Sequence, residues 1–327
     1  MLLQSILFVV GISGVYFGAE WLVKGSSKLS RDLGIKPIVI GLTVVAFGTS
    51  SPELAVSLTA SIKGSNDIAI GNIIGSNIAN IGLILGVAAI VLPLKVEKVI
   101  MRRELPLMIG ISAGLYFMAI DRKIGFVDGL LLFTGIILFI GYQIYHTLNS
   151  KKESRNSTAS NPVSKTGTPE STTEESQTRR HLLSNIIYIV IGLACLLVGS
   201  HVLVKSAIFI AGSFGISEMV IGMTVVAFGT SVPEMATSVV SVLRKETDIC
   251  VGNVIGSNIF NILLVLGSVA LVRPLNVPRE TLFFEFPIML LFSLALIPMI
   301  RGSLTVNRLA GVVLMSGYLA FIFLLFR

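Results

Sequence analysis

The most constraining feature of this chain is a long passage that occurs twice. Residues 41–90 begin GLTVVAFGTSSPELAVS and residues 222–271 begin GMTVVAFGTSVPEMATS, at a constant offset of 181 residues without a gap. By direct count, 28 of the 50 aligned positions are identical, and they include hydroxyl, amide and carboxyl side chains. A repeat that only stacked a core would need only its apolar pattern. We therefore expect the two copies to build one polar site together.

Composition places the chain in a membrane. It is 53% hydrophobic and 13% charged, with a mean hydropathy of +0.87, whereas a soluble domain is about a quarter charged. Apolar stretches near the length of about 20 residues that crosses a bilayer recur throughout. We predict an all-α integral membrane protein with ten transmembrane helices. The predicted spans lie near 4–29, 37–62, 68–92, 103–120, 125–147, 183–211, 216–242, 249–272, 281–300 and 304–326.

The basic charge of the chain is explained by topology. A net charge of +7 and a pI near 9.5 could indicate a nucleic-acid partner. If the N-terminus lies outside, however, 17 of the 25 Lys and Arg residues fall in segments on the inner side. Because cytoplasmic loops of membrane proteins carry such an excess, no nucleic-acid partner is expected. Both termini are then predicted to face outside, in a multi-pass protein of the plasma membrane.

A polar segment divides the chain into two halves. Residues 148–182 are rich in Ser, Thr, Lys and Glu, a composition that predicts a disordered linker, here on the cytoplasmic side. It separates five predicted spans in residues 1–147 from five in residues 183–327. Five is odd, so the second half enters the membrane in the opposite sense. Such inverted-topology repeats are typical of secondary transporters, whose sites lie at the repeat interface.

Each repeat places one acid inside a span. Glu53 and Glu234 occupy matching positions in the second and seventh spans, and Thr49 and Ser57 share the helical face of Glu53. Pro52 lacks an N–H group and should bend its helix, which frees a carbonyl. An acid at mid-span costs several kcal/mol on most scales, and no Lys or Arg lies close to either acid by helical spacing. The pattern therefore favours a proton or a bound cation over a structural ion pair.

A second polar stripe lies on the third span, at Asn72, Ser76 and Asn80. The eighth span repeats it at Asn253, Ser257 and Asn261. Together with the acids, these oxygens could supply the six to eight ligands of Ca²⁺, whereas Mg²⁺ demands stricter octahedral geometry. Transition metals would favour His or Cys, which are absent from the pattern. No resident cofactor is expected. No Ser/His or paired-Asp arrangement predicts an enzyme.

The paired segments GTSSPE/GTSVPE and GNIIGSN/GNVIGSN resemble the two alpha-repeats of the calcium:cation antiporter superfamily, and of its prokaryotic-type sodium/calcium exchangers in particular. The resemblance extends over all ten spans, with the alpha-1 motif at 41–90 and the alpha-2 motif at 222–271. It implies two inverted five-helix halves. The first and sixth helices would form a long tilted pair that slides across the other eight.

The resemblance also implies the ligands of the transported ions. Glu53 and Glu234 would be the central calcium ligands, helped by Thr49 and Thr230. Sodium would bind these residues together with Ser50, Ser231, Ser76, Ser257 and the carbonyls of Ala46 and Ala227. The predicted set also contains the amides of Asn80 and Asn261, which belong to the polar stripes described above.

The expected function is the exchange of Na⁺ for Ca²⁺ by alternating access, by a chain that works as a monomer in the lipid bilayer. The resemblance implies electrogenic exchange. Potassium-dependent exchangers carry Asp where this chain has Asn261, and the matching residue Asn80 is also neutral, so K⁺ independence is expected. Two alternatives stay open. One is a Ca²⁺/H⁺ antiporter, although such exchangers tend to carry GN-A-x-E in place of GTS-x-PE. The other is a passive calcium channel.

The predicted topology can be tested with a reporter that fluoresces only when it folds in the cytoplasm. We expect a green fluorescent protein inserted at residue 160 to fluoresce, and one fused after residue 327 to stay dark, because the positive-inside rule puts these points on opposite sides. Whole-cell fluorescence, normalised to expression, measures both. A bright C-terminal fusion would contradict the predicted orientation.

Overall fold

The computed structural model describes residues 1–159, 171–214 and 229–325, with side chains except at 150–159 and 171–180. Within these ranges the chain folds into ten helices and four two-residue strands. The helices are α1 (Leu2–Asp32), α2 (Pro37–Ile62), α3 (Asn66–Val91), α4 (Ile100–Asp121), α5 (Phe126–Ala159), α6 (Ser171–Ser213), α7 (Val232–Leu243), α8 (Thr247–Val272), α9 (Thr281–Arg301) and α10 (Arg308–Leu325).

The helices agree with the predicted spans. In the described part of the chain, nine contain a stretch long and apolar enough to cross a membrane. The tenth, α7, is the described part of the span predicted at 216–242, since residues 215–228 lie outside the described ranges. The last span begins at Arg308 and not at 304, because Thr305–Val306 pairs as a strand.

The structure differs from the predicted disordered linker at both ends of that segment. Helix α5 continues to Ala159, and α6 begins at Ser171. A helix already nucleated in an apolar span extends by one hydrogen bond per added residue. These ends also contain Lys, Glu, Gln and Arg residues, which are good helix formers. Residues 160–170 of the predicted linker fall outside the described ranges.

Two short strand pairs join the two halves of the chain. Strand β1 (Leu94–Lys95) pairs with β4 (Thr305–Val306), and β2 (Lys123–Ile124) pairs with β3 (Leu275–Asn276). Each pair joins one strand from each half. Each pair also joins two loops that the charge distribution predicts on the same side of the membrane, so the alternation of the predicted loops agrees with the observed contacts.

Helices α3 and α8 lie at the centre of the molecule and are its most buried apolar spans. Close packing of α8 on α2 depends on two glycines. A Cβ atom on Gly252 would lie 2.7 Å from the Ile38 carbonyl oxygen, and one on Gly256 would lie 2.7 Å from the Ala46 Cβ. Small residues of this kind let helix backbones approach closely. This approach brings the polar stripe of α8 against the bent helix α2.

Helices α1 and α6 pack along each other through a second set of glycines. A Cβ atom on Gly18 would lie 2.7 Å from the Leu196 Cα and 2.8 Å from the Gly192 carbonyl oxygen. A side chain at Gly192 would likewise collide with the backbone of α1 at Leu22. The backbones of α1 and α6 are therefore in direct contact, as are those of α8 and α2.

We expect Gly18→Ala to lower the thermal unfolding temperature of the purified protein, because the added methyl must push the two backbones apart. Overpacking of this kind costs roughly 1–3 kcal/mol. Gly110→Ala on α4 is the matched control, since no atom lies within 4 Å of its added Cβ. Melting of both variants in the same detergent gives the comparison. Wild-type melting of Gly18→Ala would show that α1 and α6 are not in close contact.

Candidate cation site

Each acid follows a break in its helix. The α-helical path of α2 is interrupted at Ser50 (φ −80°, ψ 3°), two residues before Pro52. Ser231 has nearly the same conformation (φ −87°, ψ 2°) before Pro233. Glu53 and Glu234 then lie in the first turn of the helical segments that follow. The free N–H groups at a helix start favour negative charge at this position.

Both carboxyl groups are buried near each other. Glu53 is 0% exposed and Glu234 is 1% exposed, and Ser50, three residues before Glu53, donates its hydroxyl to the Glu234 carboxylate. In the described ranges neither forms an ion pair with a Lys, Arg or His side chain.

The hydrogen bonds to these carboxylates are sparse and long. The Ser76 hydroxyl donates to Glu53 Oε1 at 3.5 Å, and the Ser50 hydroxyl donates to Glu234 Oε1 at 3.5 Å. Among the described residues, the Oε2 atom of each acid has no hydrogen-bond partner. An unsatisfied buried acceptor costs about 1–3 kcal/mol, and more when it is charged. The site is thus deficient in positive partners.

A threonine from each half lies beside the acid of the other half. Thr230 is next to the Glu53 carboxylate and Thr49 is next to that of Glu234. Each hydroxyl also donates to an asparagine: Thr230 to Asn72 Oδ1 and Thr49 to Asn253 Oδ1, both at 3.1 Å. The two copies of the repeat therefore share one site and do not form two separate ones.

Two amides extend this site. Asn80 Nδ2 donates to Asn258 Oδ1 at 3.1 Å, and Asn261 Nδ2 donates to Asn77 Oδ1 at 3.2 Å. The Oδ1 atoms of Asn80 and Asn261 are buried and have no partner among the described residues. Asn77 and Asn258 orient these free oxygens, a role that sequence reasoning missed. The available signal was their identity in the two GSN segments.

The remaining predicted residues occupy the same region in part. The Ser231 hydroxyl donates to Ser76 Oγ at 3.4 Å, and the hydroxyls of Thr49 and Ser257 lie 3.4 Å apart. The Ala46 carbonyl accepts the Ser50 N–H at 3.0 Å. It also accepts the Thr49 hydroxyl at 3.5 Å, so it is not a freed carbonyl. Ala227 lies outside the described residues.

A third buried acid shows how this fold satisfies a carboxylate that has a structural role. Glu104 is 0% exposed, a position that sequence reasoning did not single out. Arg103 donates to its Oε1 at 2.7 Å and Gln143 donates to its Oε2 at 3.1 Å. Both oxygens are satisfied, in contrast to those of Glu53 and Glu234. Among these three buried acids, the carboxylates with an unpartnered oxygen are therefore the two at the shared site.

The donor set limits what could bind. Across residues 1–159, 171–214 and 229–325, no group of three or more His, Cys, Asp or Glu side chains could hold a metal ion. The site offers two carboxylates surrounded by neutral oxygens. Hard cations such as Ca²⁺ bind oxygen ligands of these types, whereas softer transition metals bind nitrogen and sulfur.

Comparison with known proteins agrees with this chemistry. The family described as sodium/calcium exchanger protein matches residues 3–148 and 184–327. The sodium/calcium exchanger MaX1 of Methanosarcina acetivorans is 35% identical over 349 residues, which cover 98% of this chain and 99% of its own. The inner membrane protein YrbG of Escherichia coli is 36% identical over 330 residues, which cover 100% of this chain and 98% of its own.

The fold is also similar to that of a solved exchanger. A structure of the sodium-calcium exchanger NCX_Mj, soaked with 10 mM Na⁺ and zero Ca²⁺, matches with a TM-score of 0.82 at 31% identity and covers 98% of each chain. The predicted class of helical membrane protein and the predicted family are both confirmed. This multi-pass membrane protein belongs to the sodium/calcium exchanger family, whose members are cation/Ca²⁺ antiporters.

Proposed function

We propose that the chain exchanges Na⁺ for Ca²⁺ by alternating access, with the ions bound between Glu53 and Glu234. The observation that carries this proposal is that buried oxygens of the acids and of the polar stripes lack a partner among the described residues. The four that belong to the candidate site are Glu53 Oε2, Glu234 Oε2, Asn80 Oδ1 and Asn261 Oδ1. A cation bound between the acids would supply the partner that the two carboxylate oxygens lack.

Calcium would bind with both carboxylates. The two amide oxygens and the hydroxyls of Thr49 and Thr230 can raise the ligand number toward the six to eight that Ca²⁺ takes. Only two of these ligands are charged. Affinity for Ca²⁺ rises with the charge of the ligands and with the rigidity of the site, so this site favours release over storage. That property suits a transported ion.

Sodium would compete for the same oxygens. Several Na⁺ ions can use the acids together with Ser50, Ser76, Ser231 and Ser257, but not while Ca²⁺ is bound. A site without cations would leave two repelling carboxylates buried, which opposes passage between the inward and outward states. Only loaded forms would then cross readily, and this restriction couples the two fluxes.

The charge carried per cycle follows from the ratio of the ions. If three Na⁺ move against one Ca²⁺, as the family resemblance implies, one positive charge crosses the membrane in each cycle. The membrane potential then contributes about 2.3 kcal/mol per 100 mV. A negative cell interior would favour calcium extrusion. We include this electrogenic ratio in the proposal. We also propose that the chain works as a monomer in the plasma membrane, with both termini outside.

Two features favour sodium over the other coupling ions. The amides of Asn80 and Asn261 are neutral and equivalent, so the site holds no third carboxylate for K⁺. The four hydroxyls that follow the glycines of the GTS motifs suit Na⁺ better than a proton. They belong to Thr49, Ser50, Thr230 and Ser231. A Ca²⁺/H⁺ antiporter is therefore the second candidate and a passive channel the third.

Flux into sealed proteoliposomes tests the coupling. We expect vesicles loaded with Na⁺ and diluted into Na⁺-free buffer to accumulate ⁴⁵Ca²⁺, because Na⁺ leaving the vesicles drives Ca²⁺ inward. Uptake should be unchanged when K⁺ is omitted, and it should increase under an inside-positive potential, because net positive charge leaves.

Control vesicles carry choline in place of Na⁺, or a pH gradient alone. Uptake driven by the pH gradient would contradict sodium coupling and support proton exchange. Uptake that needs no opposing gradient would identify a channel.

The proposed calcium ligands can be tested without transport. Saturating a single site at 100 times its dissociation constant stabilises a protein by about 2.7 kcal/mol, so Ca²⁺ should raise the melting temperature of the wild type. We expect Glu53→Gln and Glu234→Gln to lose this shift. Without cations, both variants should melt at or above the wild-type temperature, because each change removes one of two repelling buried charges.

Asp67→Asn is the control for this measurement, since Asp67 is an exposed acid in the first turn of α3. It should keep the calcium-dependent shift. A full shift in both glutamine variants would exclude these carboxylates as ligands. A large loss of stability without cations would instead indicate that the acids have a structural role.

A further inference from the structure

The two halves of the chain differ in how the segment after each acid is covered. On α7, Thr237 is 0% exposed and Val240 is 6% exposed. The matching positions on α2 are open: Val56 is 37% exposed and Thr59 is exposed as well. Val240 packs in one apolar cluster with Ala19 and Val23 of α1, so α1 is the helix that covers α7.

Polar contacts hold α1 in this position. Arg244, directly after α7, forms an ion pair with Glu20 in the middle of α1. Two residues further on, Glu246 accepts a hydrogen bond from Ser27 and lies 3.9 Å from the Arg31 guanidinium. The loop between α7 and α8 therefore contacts α1 at two levels, which lie about two to three turns apart along that helix.

The first half cannot form the same contacts. At the repeat offset, Lys63 stands in the place of Arg244 and His201 in the place of Glu20. Ser65 replaces Glu246. No carboxylate is left among these positions to pair with Lys63. The ion pairs between α1 and the α7–α8 loop therefore have no counterpart at the matching positions of the other half.

We propose that Glu20, Ser27, Arg31, Arg244 and Glu246 form a clasp that closes the cytoplasmic route to the cation site. This inference rests on the proposed function, because only a protein that works by alternating access needs a cytoplasmic route that opens and closes. All five residues lie in α1 or the α7–α8 loop, and the loop ends of both are predicted on the cytoplasmic side. The clasp holds α1 over α7 while the matching face of α2 is open, so it favours the state that is closed to the cytoplasm.

The strength of the clasp suits a contact that breaks in each cycle. Arg244 and Glu20 are 41% and 21% exposed, and Arg31 and Glu246 are 69% and 28% exposed. Partly exposed ion pairs of this kind shift a two-state equilibrium by a factor of up to about five each. One pair biases the populations of the two states without locking either.

Accessibility of α7 from the cytoplasmic side tests the clasp. Val240→Cys is introduced as a reporter after Cys195 and Cys250, the free cysteines at the described positions, are replaced by Ser and Ala. Inside-out vesicles are treated with a membrane-impermeant maleimide. We expect Arg244→Gln to raise the initial labelling rate about two- to fivefold, because α1 uncovers Val240 more often. Glu20→Gln should raise the labelling rate by the same factor, because it removes the other partner of the ion pair.

Lys63→Gln is the matched control, because it removes the equivalent charge of the first half, which forms no ion pair in the described residues. It should leave the labelling rate unchanged. Rates equal to the parent in both Arg244→Gln and Glu20→Gln would overturn the clasp.

The same vesicles are assayed for sodium-driven ⁴⁵Ca²⁺ uptake without the maleimide. Labelling that fails to rise in vesicles that take up Ca²⁺ refutes the clasp alone. Absence of sodium-driven uptake in the parent refutes the proposed function, while the labelling rates still report whether α1 covers α7.

Discussion

Two buried acids without a basic partner in the described residues are the constraint around which this fold is arranged. Glu53 and Glu234 are both buried, and each has one oxygen that no described residue contacts by a hydrogen bond. The fold brings them together by breaking two helices ahead of proline and by packing α8 closely onto α2. It then surrounds them with neutral hydroxyls and amides, whose oxygens are ligands that hard cations accept. This arrangement supports the proposal that a cation binds between the two acids.

The contrast with Glu104 supports this interpretation. That acid is as buried as Glu53, yet Arg103 and Gln143 satisfy both of its oxygens. The same fold thus supplies hydrogen-bond partners to both oxygens of Glu104, but not to both oxygens of Glu53 or Glu234, where the two halves meet. A site of two charges and many neutral oxygens also binds a divalent cation less tightly than one with more carboxylates. A transported ion must be released, so a site with only two charged ligands agrees with an antiporter of the exchanger family.

Much of this arrangement could be predicted from the sequence, because hydropathy reports membrane spans directly and the repeat marks equivalent positions. The family follows from polar motifs that recur at the same spacing in both repeats, and Glu53 and Glu234 are the acids within those motifs. Contacts between helices could not be predicted in the same way. Asn77 and Asn258 gain their role only by facing Asn261 and Asn80, and Arg244 meets Glu20 across 224 residues. Periodicity describes one helix at a time, so it gives no information on which faces meet.

The central claim is that one dehydrated cation lies between Glu53 and Glu234 and is displaced by sodium. Anomalous diffraction from crystals soaked in Sr²⁺, as a heavier analogue of Ca²⁺, tests it most directly. The account predicts one strong peak in contact with both carboxylates, lost as Na⁺ is raised in the soaking solution. A peak that touches only one of these acids, or whose occupancy does not change with Na⁺, would contradict it.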